Sequence, residues 1–259
     1  MDAAIHVEDR PGGLRVLTVS NLPKRNALDP ALLEQLRIAL DPASAAGVRV
    51  LVVRGDGAHF CSGYDLAGLE KLSPQGPLPD EPLQQTLAAL EAYPAVTLAC
   101  VRGGAFGAGA ELALTCDLRL FGDDALFCLP PAKIGVVYAP EGLRRLSVLV
   151  GPARAKLLFF TGRRLNPEQC WDWGLCEEVH DAAGVEAAAF QLAAEIAGNA
   201  PLAVAGMKRA FQLLAVPGPT PPEAQAQLRE LRRQAFLSED AAEGRAALFE
   251  KRPPRFTGR

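Results

Sequence analysis

The chain has 259 residues, of which 49% are hydrophobic and 22% charged, and its net charge is −3. This composition predicts a well-buried core, and the slight negative charge without a basic block argues against nucleic acid or an anionic membrane as the main partner. Because the six cysteines contain no C-x-x-C pair and the N-terminus lacks the basic-then-apolar pattern of a signal peptide, we expect a soluble cytoplasmic protein without disulfides.

The first half of the chain alternates between strand and helix patterns. Apolar and β-branched runs predict strands at residues 14–20, 48–54, 95–101 and 117–121. After the first of them, Asp29 offers an N-cap and Pro30 a first helical position, and leucines recur at helical spacing up to Leu40. The proline-rich residues 73–82 predict an irregular connection, and residues 66–92 as a whole are expected to be irregular. Alternating strands and helices predict an α/β core.

From about Pro140 onward the pattern is helical. Prolines and glycines separate apolar segments with helical spacing at residues 141–150, 152–160, 167–173, 182–198, 201–214, 222–236 and 239–250. An α/β part followed by helices is a layout in which the last helices can cover a site or a neighbouring subunit.

The most informative segment is residues 101–111, VRGGAFGAGAE, which lies between a strand-like and a helix-like run. Glycines at a strand-to-helix turn let a ligand approach the backbone, and the first N–H groups of the helix have no partner within it. Such a turn can bind an anion or a developing oxyanion, and Glu111 is placed to move a proton beside it. The combination indicates an enzyme.

A second small-residue turn follows another buried strand at residues 59–66, HFCSGYDL, and a helix is expected after Asp65. Two such turns can direct two backbone donors at one carbonyl oxygen. His59 lies beside this turn, and contact between its side chain and substrate is a minor alternative.

Other common chemistries lack their motifs. There is no G-x-S-x-G nucleophile elbow, and no clustered His or Cys spacing indicates a metal site. The glycines at 104, 107 and 109 have the reverse of the G-x-G-x-x-G spacing of nicotinamide-binding turns. We therefore expect no metal and no cofactor.

With these motifs in order, the chain resembles the crotonase (enoyl-CoA hydratase/isomerase) superfamily over nearly its whole length. The resemblance is carried by residues 21–28, 59–66, 101–111 with Cys116 and Asp117, 129–135, 157–162, 174–179 and 243–258. It implies an α/β, crotonase-like (ClpP/crotonase) fold of stacked ββα units. The implied division is a core at residues 1–199 that holds the CoA-ester site and a helical C-terminal oligomerisation or lid region at residues 200–259. The implied assembly is a homotrimer or a dimer of trimers.

The resemblance also implies roles for single residues. The N–H groups of Tyr64 and Ala108 would form an oxyanion hole for the thioester oxygen of an acyl-CoA substrate, and coenzyme A would enter only as part of that substrate. Residues implied to contact coenzyme A are Lys24, Arg25, Cys61, Ser62, Gly63, Asp65, Leu66, Gly107 and, from a neighbouring subunit, Lys251. Residues implied to line the acyl pocket are Pro131, Tyr138 and Leu248. The charges of Lys24, Arg25 and Lys251 are equally compatible with ordinary solvated side chains.

Glu111 matches the first of the two glutamates that activate water in family hydratases, but Pro131 stands where the second would be, twenty residues later. This departure puts two-carboxylate hydration in doubt and favours isomerase-type chemistry, which one carboxylate can carry out. Glu141 could replace the missing acid, although a carboxylate at a helix start is the plainer interpretation. Tyr138 is a weaker candidate for a proton donor. A decarboxylase-type enzyme and a catalytically impaired acyl-CoA-binding protein remain alternatives.

Overall fold

The computed structural model of the chain describes residues 3–45, 47–65, 78–215 and 221–259. The elements in these ranges are β1 (Ala4–Arg10), β2 (Leu14–Ser20), α1 (Pro30–Ala39), β3 (Val50–Gly55), α2 (Glu81–Glu91), β4 (Val96–Val101), β5 (Gly104–Phe106), α3 (Ala108–Thr115), β6 (Leu118–Gly122), β7 (Leu126–Cys128), α4 (Pro140–Val150), α5 (Pro152–Thr161), β8 (Arg164–Leu165), α6 (Pro167–Asp172), β9 (Glu178–His180), α7 (Val185–Ala197), α8 (Pro201–Leu214), α9 (Pro222–Leu237) and α10 (Glu239–Glu250). No helix within these ranges is both long and apolar enough to cross a membrane.

The larger sheet has the strand order β1-β2-β3-β4-β6-β9. Its first pair is antiparallel and every later pair is parallel. A smaller sheet joins β5, β7 and β8, with β5 and β7 parallel. A mostly parallel sheet with helices on its faces confirms the predicted α/β fold class.

The core lies on both faces of the larger sheet because successive side chains of a strand point to opposite sides. On one face, Val16 and Val50 pack with the buried alanines of α7. On the other, Leu17 and Leu51 pack with the leucines of α1. All seven residues of β2 are buried, as expected for a strand covered on both faces.

The start of α1 shows how locally the sequence determines some of these elements. The carboxylate of Asp29 accepts a hydrogen bond from the N–H of Leu32 at 2.8 Å, and Pro30 opens the helix. This confirms the N-cap predicted there, since proline at the first helical position loses no intrahelical hydrogen bond.

Several predictions about local structure were wrong. Residues 81–91 were expected to be irregular, but they form α2, with Pro82 in its first turn, where the fixed φ of proline suits a helix. The segment taken as a continuous turn at 101–111 contains the short strand β5. Strands β8 and β9 lie in the gaps between the predicted helical segments, where no strand was expected. The helix expected after Asp65 lies outside the described residues.

The C-terminal helices form a chain of contacts: α8 packs against α9 and α9 against α10. Helix α9 has no fully buried side chain, and large apolar side chains of the two last helices are exposed in this single chain. These are Phe236, Leu237, Leu248 and Phe249.

Candidate active site

Two backbone turns meet at the carboxyl ends of β3 and β4. Isolated β-bridges join Leu28 to Tyr64 and Cys61 to Ala105, so the turn after β3 lies between the segment before α1 and β5. A Cβ atom placed on Gly63 would lie 2.9 Å from the carbonyl oxygen of Phe106 and 3.7 Å from the nitrogen of Ala108. The two turns predicted from the sequence are therefore in direct contact.

The directions of the N–H groups follow from these bridges. Leu28 donates its N–H to the carbonyl of Gly63 and accepts from the N–H of Asp65, both at 2.8 Å. Tyr64 lies between these two hydrogen-bonded residues. In a parallel bridge of this kind, its N–H points away from Leu28 and is not used in the bridge. Ala108 is the first residue of α3, where an N–H has no partner four residues earlier in the helix. The arrangement supplies two backbone donors next to each other.

Glycine is required at two places for these turns to approach. Gly107 has φ +51°, the left-handed region that side chains other than glycine rarely adopt. Its N–H donates to the carbonyl of Cys128 at 2.9 Å. A Cβ on Gly109 would lie 2.4 Å from the carbonyl oxygen of Cys61. Close packing of the two turns is thus one reason for the small residues of this segment.

Glu111 is buried, with 2% of its surface exposed, in a helix whose eight residues are all buried. Gly142 of α4 approaches its carboxyl group closely, since a Cβ there would be 2.6 Å from Oε1. Arg145, also on α4, places Nη1 3.6 Å from the same oxygen. Within the described residues, Oε1 has no hydrogen-bond partner.

Burial raises the pKa of Glu111 to about 7, while the positive charge of Arg145 opposes this rise. Tyr138 and Gln84 also favour the carboxylate, and the more distant negative charge of Asp80 disfavours it. A carboxyl group with a pKa near neutrality can both accept and donate a proton at physiological pH.

The hydroxyl of Tyr138 lies in the same buried place. Its ring packs against Phe159 with centroids 5.1 Å apart, and among the described residues its Oη has no hydrogen-bond partner. Burial and the negative charge of Glu111 raise the pKa of Tyr138 well above its usual range, so the hydroxyl stays protonated. Arg145 Nη1 is likewise without a hydrogen bond to the residues described. Glu111 and the two side chains that act on its pKa, Tyr138 and Arg145, therefore each have a buried polar atom without a hydrogen bond to the described residues.

The predicted coenzyme A residues at the start of the chain lie beside the turn after β3. Lys24 pairs with Asp65, Nζ to Oδ2 at 2.5 Å, and the hydroxyl of Ser62 donates to the carbonyl of Lys24 at 2.7 Å. Ser62 also donates its N–H to the carbonyl of Arg25 at 2.9 Å. A cleft of about 250 Å³ is lined here by Arg25, His59, Ser62, Gly104, Phe106 and Arg164. The cleft combines two cations with an aromatic ring, which suits a phosphorylated, aromatic group.

Other predicted site residues lie further apart. Pro131 is buried at the start of a short 3-10 helix, Pro131–Ile134, and offers no polar side-chain atom. Glu141 is exposed in the first turn of α4 and makes no hydrogen bond or ion pair with a described residue. Leu248 and Lys251 are exposed at the end of α10, which packs against α9. Leu66 lies outside the described residues.

Sequence reasoning missed three residues that shape the site. Arg145 and Gly142 reach Glu111 from a helix more than thirty positions away, and no local pattern marks them. Asn26 is fully buried with φ +60°, and its amide donates to the carbonyls of Asp56 and His59 at 2.9 and 2.7 Å. The only indication of this role in the sequence was that Asn26 is a polar residue within the predicted binding segment. No group of three His, Cys, Asp or Glu side chains suited to a metal occurs in the ranges that the structure describes.

Comparison with known proteins gives a consistent result. The sequence profile of the enoyl-CoA hydratase/isomerase family matches residues 9–259. A probable enoyl-CoA hydratase of Mycobacterium leprae is 34% identical over 250 residues, 95% of this chain and 96% of that protein. The 2,3-dehydroadipyl-CoA hydratase of Escherichia coli is 34% identical, covering 94% and 95%.

Among solved structures, an enoyl-CoA hydratase/carnithine racemase from Magnetospirillum magneticum superposes with a TM-score of 0.91 at 29% identity. The alignment covers 100% of this chain and 97% of the other. The profile match over nearly the whole length and the relatives above 30% identity agree with this fold. The chain belongs to the enoyl-CoA hydratase/isomerase family, within the crotonase superfamily.

Proposed function

We propose that the protein converts an acyl-CoA thioester through an enolate, with the N–H groups of Tyr64 and Ala108 holding the thioester oxygen and Glu111 moving the proton. The observation that carries this proposal is the carboxyl group of Glu111, which is buried, accepts no hydrogen bond at Oε1 from any described residue, and has its pKa raised by burial to about 7. A group poised near the working pH is suited to general acid–base catalysis.

For a 3-enoyl thioester, the carboxylate of Glu111 would take a proton from C2. The electron pair of the C–H bond would delocalise onto the thioester oxygen, where the two backbone donors stabilise the negative charge. Return of the proton from Glu111 to C4 would give the 2-enoyl thioester. Isomerisation needs only one carboxylate, so Pro131 is no obstacle to it.

Hydration is the second candidate, supported by the hydratase names of the relatives and by the hydroxyl of Tyr138. In this reaction the water oxygen would bond to C3, one water proton would go to Glu111, and Glu111 would deliver that proton to C2 on the same side. The hydroxyl of Tyr138 or the exposed carboxylate of Glu141 would orient the water that a second buried glutamate holds in family hydratases. Decarboxylation of a malonyl-type thioester would use the same oxyanion hole.

We propose that the coenzyme A part lies along the turn after β3. The cleft between Arg25 and Arg164 would bind the nucleotide end, and Lys24 would contribute a charge next to Asp65. Residues 200–259 would form the contacts of a homotrimer or a dimer of trimers, bringing Lys251 and Leu248 to a neighbouring site. The exposed apolar residues of α9 and α10 support this assembly, because a large apolar surface is usually covered by a partner.

The test is a turnover screen with 2-enoyl, 3-enoyl, saturated and malonyl-type CoA thioesters. Glu111→Gln should lower turnover of the accepted thioester by about 10²–10⁴-fold and leave thioester affinity within about threefold. Glu168→Gln is the matched control, since it removes an exposed carboxylate in the first turn of α6 that takes no part in the proposed chemistry. A chain that binds the thioesters but turns over none of them, with or without the substitution, would be an acyl-CoA-binding protein. An unchanged rate in Glu111→Gln would refute the role of Glu111.

A further inference from the structure

Arg145 connects two carboxylates that belong to different helices. Its Nη2 lies 2.9 Å from Oε2 of Glu91, the last residue of α2, and its Nη1 lies 3.6 Å from Oε1 of Glu111 in α3. The side chain of Arg145 is only 12% exposed, against 45% for Glu91. The guanidinium group therefore stands between a half-exposed carboxylate and the buried catalytic one.

The neighbouring arginine does not share this position. Arg144 has a side chain that is 45% exposed and reaches Oε1 of Glu91 only at 3.9 Å. Because adjacent residues of a helix point about a quarter turn apart, one arginine faces the inside of the site and the other faces solvent. Arg144 and Arg145 carry the same charge, but only Arg145 contacts Glu111, so substitutions of the two can be compared directly.

Planar guanidinium geometry makes this connection directional. Arg145 donates from Nη2 to Glu91, while Nη1 of the same planar group lies on the side of Glu111. Nη1 has no hydrogen bond to the described residues, and a shift of a few tenths of an ångström would form one with Oε1.

We propose that Arg145 is a positioning residue that holds and charges the carboxylate of Glu111, and that Glu91 sets how much of its positive charge Glu111 experiences. The proposal rests on the proposed catalytic role of Glu111, but the ion-pair geometry itself does not depend on any substrate. Glu91 would offset part of that positive charge, because it is the hydrogen-bonded counter-charge of Arg145.

The charged and polar groups that face Glu111 come from two of the three elements packed against α3. Helix α4 and the residues before it provide Arg145 and Tyr138, and α2 and the residue before it provide Gln84 and Asp80. The third element, β5, has the sequence GAF and carries no titratable side chain. Arg145 is thus the one cation facing Glu111 among the described residues, so its removal should have a clear sign.

The two substitutions should move the pKa of Glu111 in opposite directions. Arg145→Gln removes the opposing positive charge and should raise it by about 1–3 units. Glu91→Gln removes the hydrogen-bonded counter-charge of Arg145 and should lower the pKa of Glu111, by less than Arg145→Gln raises it because Glu91 is half exposed. Arg144→Gln, the matched control, should change it by less than about 0.3 units because the exposed charge is screened by solvent.

The experiment follows the C=O infrared band of the protonated Glu111 carboxyl group as a function of pH in the full chain, with the band assigned by its absence in Glu111→Gln. The pH profile of turnover is a second measurement: whichever limb belongs to Glu111 should move to higher pH in Arg145→Gln and to lower pH in Glu91→Gln. If the ion pair were purely structural, both substitutions would lower stability, but they would not shift the pKa of Glu111 in opposite directions.

Equal or same-direction shifts in the two variants would overturn the proposal, as would an unchanged pKa in Arg145→Gln. If Arg145→Gln does not fold, Arg145→Lys keeps the charge and should leave the pKa within about 0.5 units, while Glu91→Gln still tests the sign. The infrared titration needs no substrate, so a failure of the proposed function would appear as absent turnover with the opposite pKa shifts intact.

Discussion

Replacing Gly142 by alanine should displace the carboxyl group of Glu111, the proposed acid/base, directly. The new Cβ would lie 2.6 Å from Oε1 of Glu111 and 2.9 Å from Cδ1 of Tyr138, whereas ordinary contacts begin at 3.4 Å. The carboxyl group must therefore move by about 0.8 Å from its present place against α4. A misplacement of about 1 Å at a reacting group can cost about 10² in rate.

The assay is kcat of Gly142→Ala with the thioester identified by the screen, compared with Gly206→Ala. Gly206 lies inside α8, where a Cβ would meet only Cβ of Leu231 at 4.0 Å. That control should keep full activity and gain about 1 kcal/mol of stability from the higher helix propensity of alanine. A kcat for Gly142→Ala within about twofold of wild type would refute the placement of Glu111 against α4.

Three further predictions concern stability and backbone approach. Because burial raises the pKa of Glu111 from 4.5 to about 7 in the folded state, wild-type stability should fall by about 3 kcal/mol as pH rises through that window, and urea unfolding should show no such fall in Glu111→Gln. Gly109→Ala should destabilise the chain by about 3 kcal/mol, visible in its melting temperature, because its Cβ would lie 2.4 Å from the carbonyl oxygen of Cys61. Asp240→Asn should cost about 2 kcal/mol in urea unfolding, since the buried carboxylate accepts two 2.7 Å hydrogen bonds from backbone N–H groups of the C-terminal tail. If the stability of Glu111→Gln fell with pH as steeply as that of the wild type, the raised pKa of Glu111 would be contradicted. A melting temperature equal to that of the wild type in Gly109→Ala or Asp240→Asn would contradict the contact described for that residue.

The sequence was most informative where structure depends on neighbouring residues. The N-cap at Asp29, the strand at β2 and the helix boundaries after Pro140 depend on local propensity, capping and proline, so each could be predicted closely. The start of α2 was harder to predict because Pro82 and the prolines before it resemble those of a loop. Pro82 is compatible with a loop and with the first turn of a helix, and only the buried leucines that follow it indicate the helix.

The site was predictable in part for the same reason. Glu111 and the glycine turn before it are contiguous, so their chemistry could be inferred from one segment. Arg145 and Gly142 act on Glu111 across the contact between α3 and α4, which depends on how two helices pack. A contact of this kind leaves no periodic or spacing signal in a single sequence.

Exchange of the α-proton of a bound CoA thioester with solvent deuterium is the most direct test of enolate formation by Glu111. Mass spectrometry of the recovered thioester should show deuterium at C2 with the wild-type chain and a loss of about 10²-fold or more in the exchange rate with Glu111→Gln. Equal exchange rates in the two chains, or no exchange by a wild-type chain that turns over the thioester, would contradict the proposed role of this buried carboxylate.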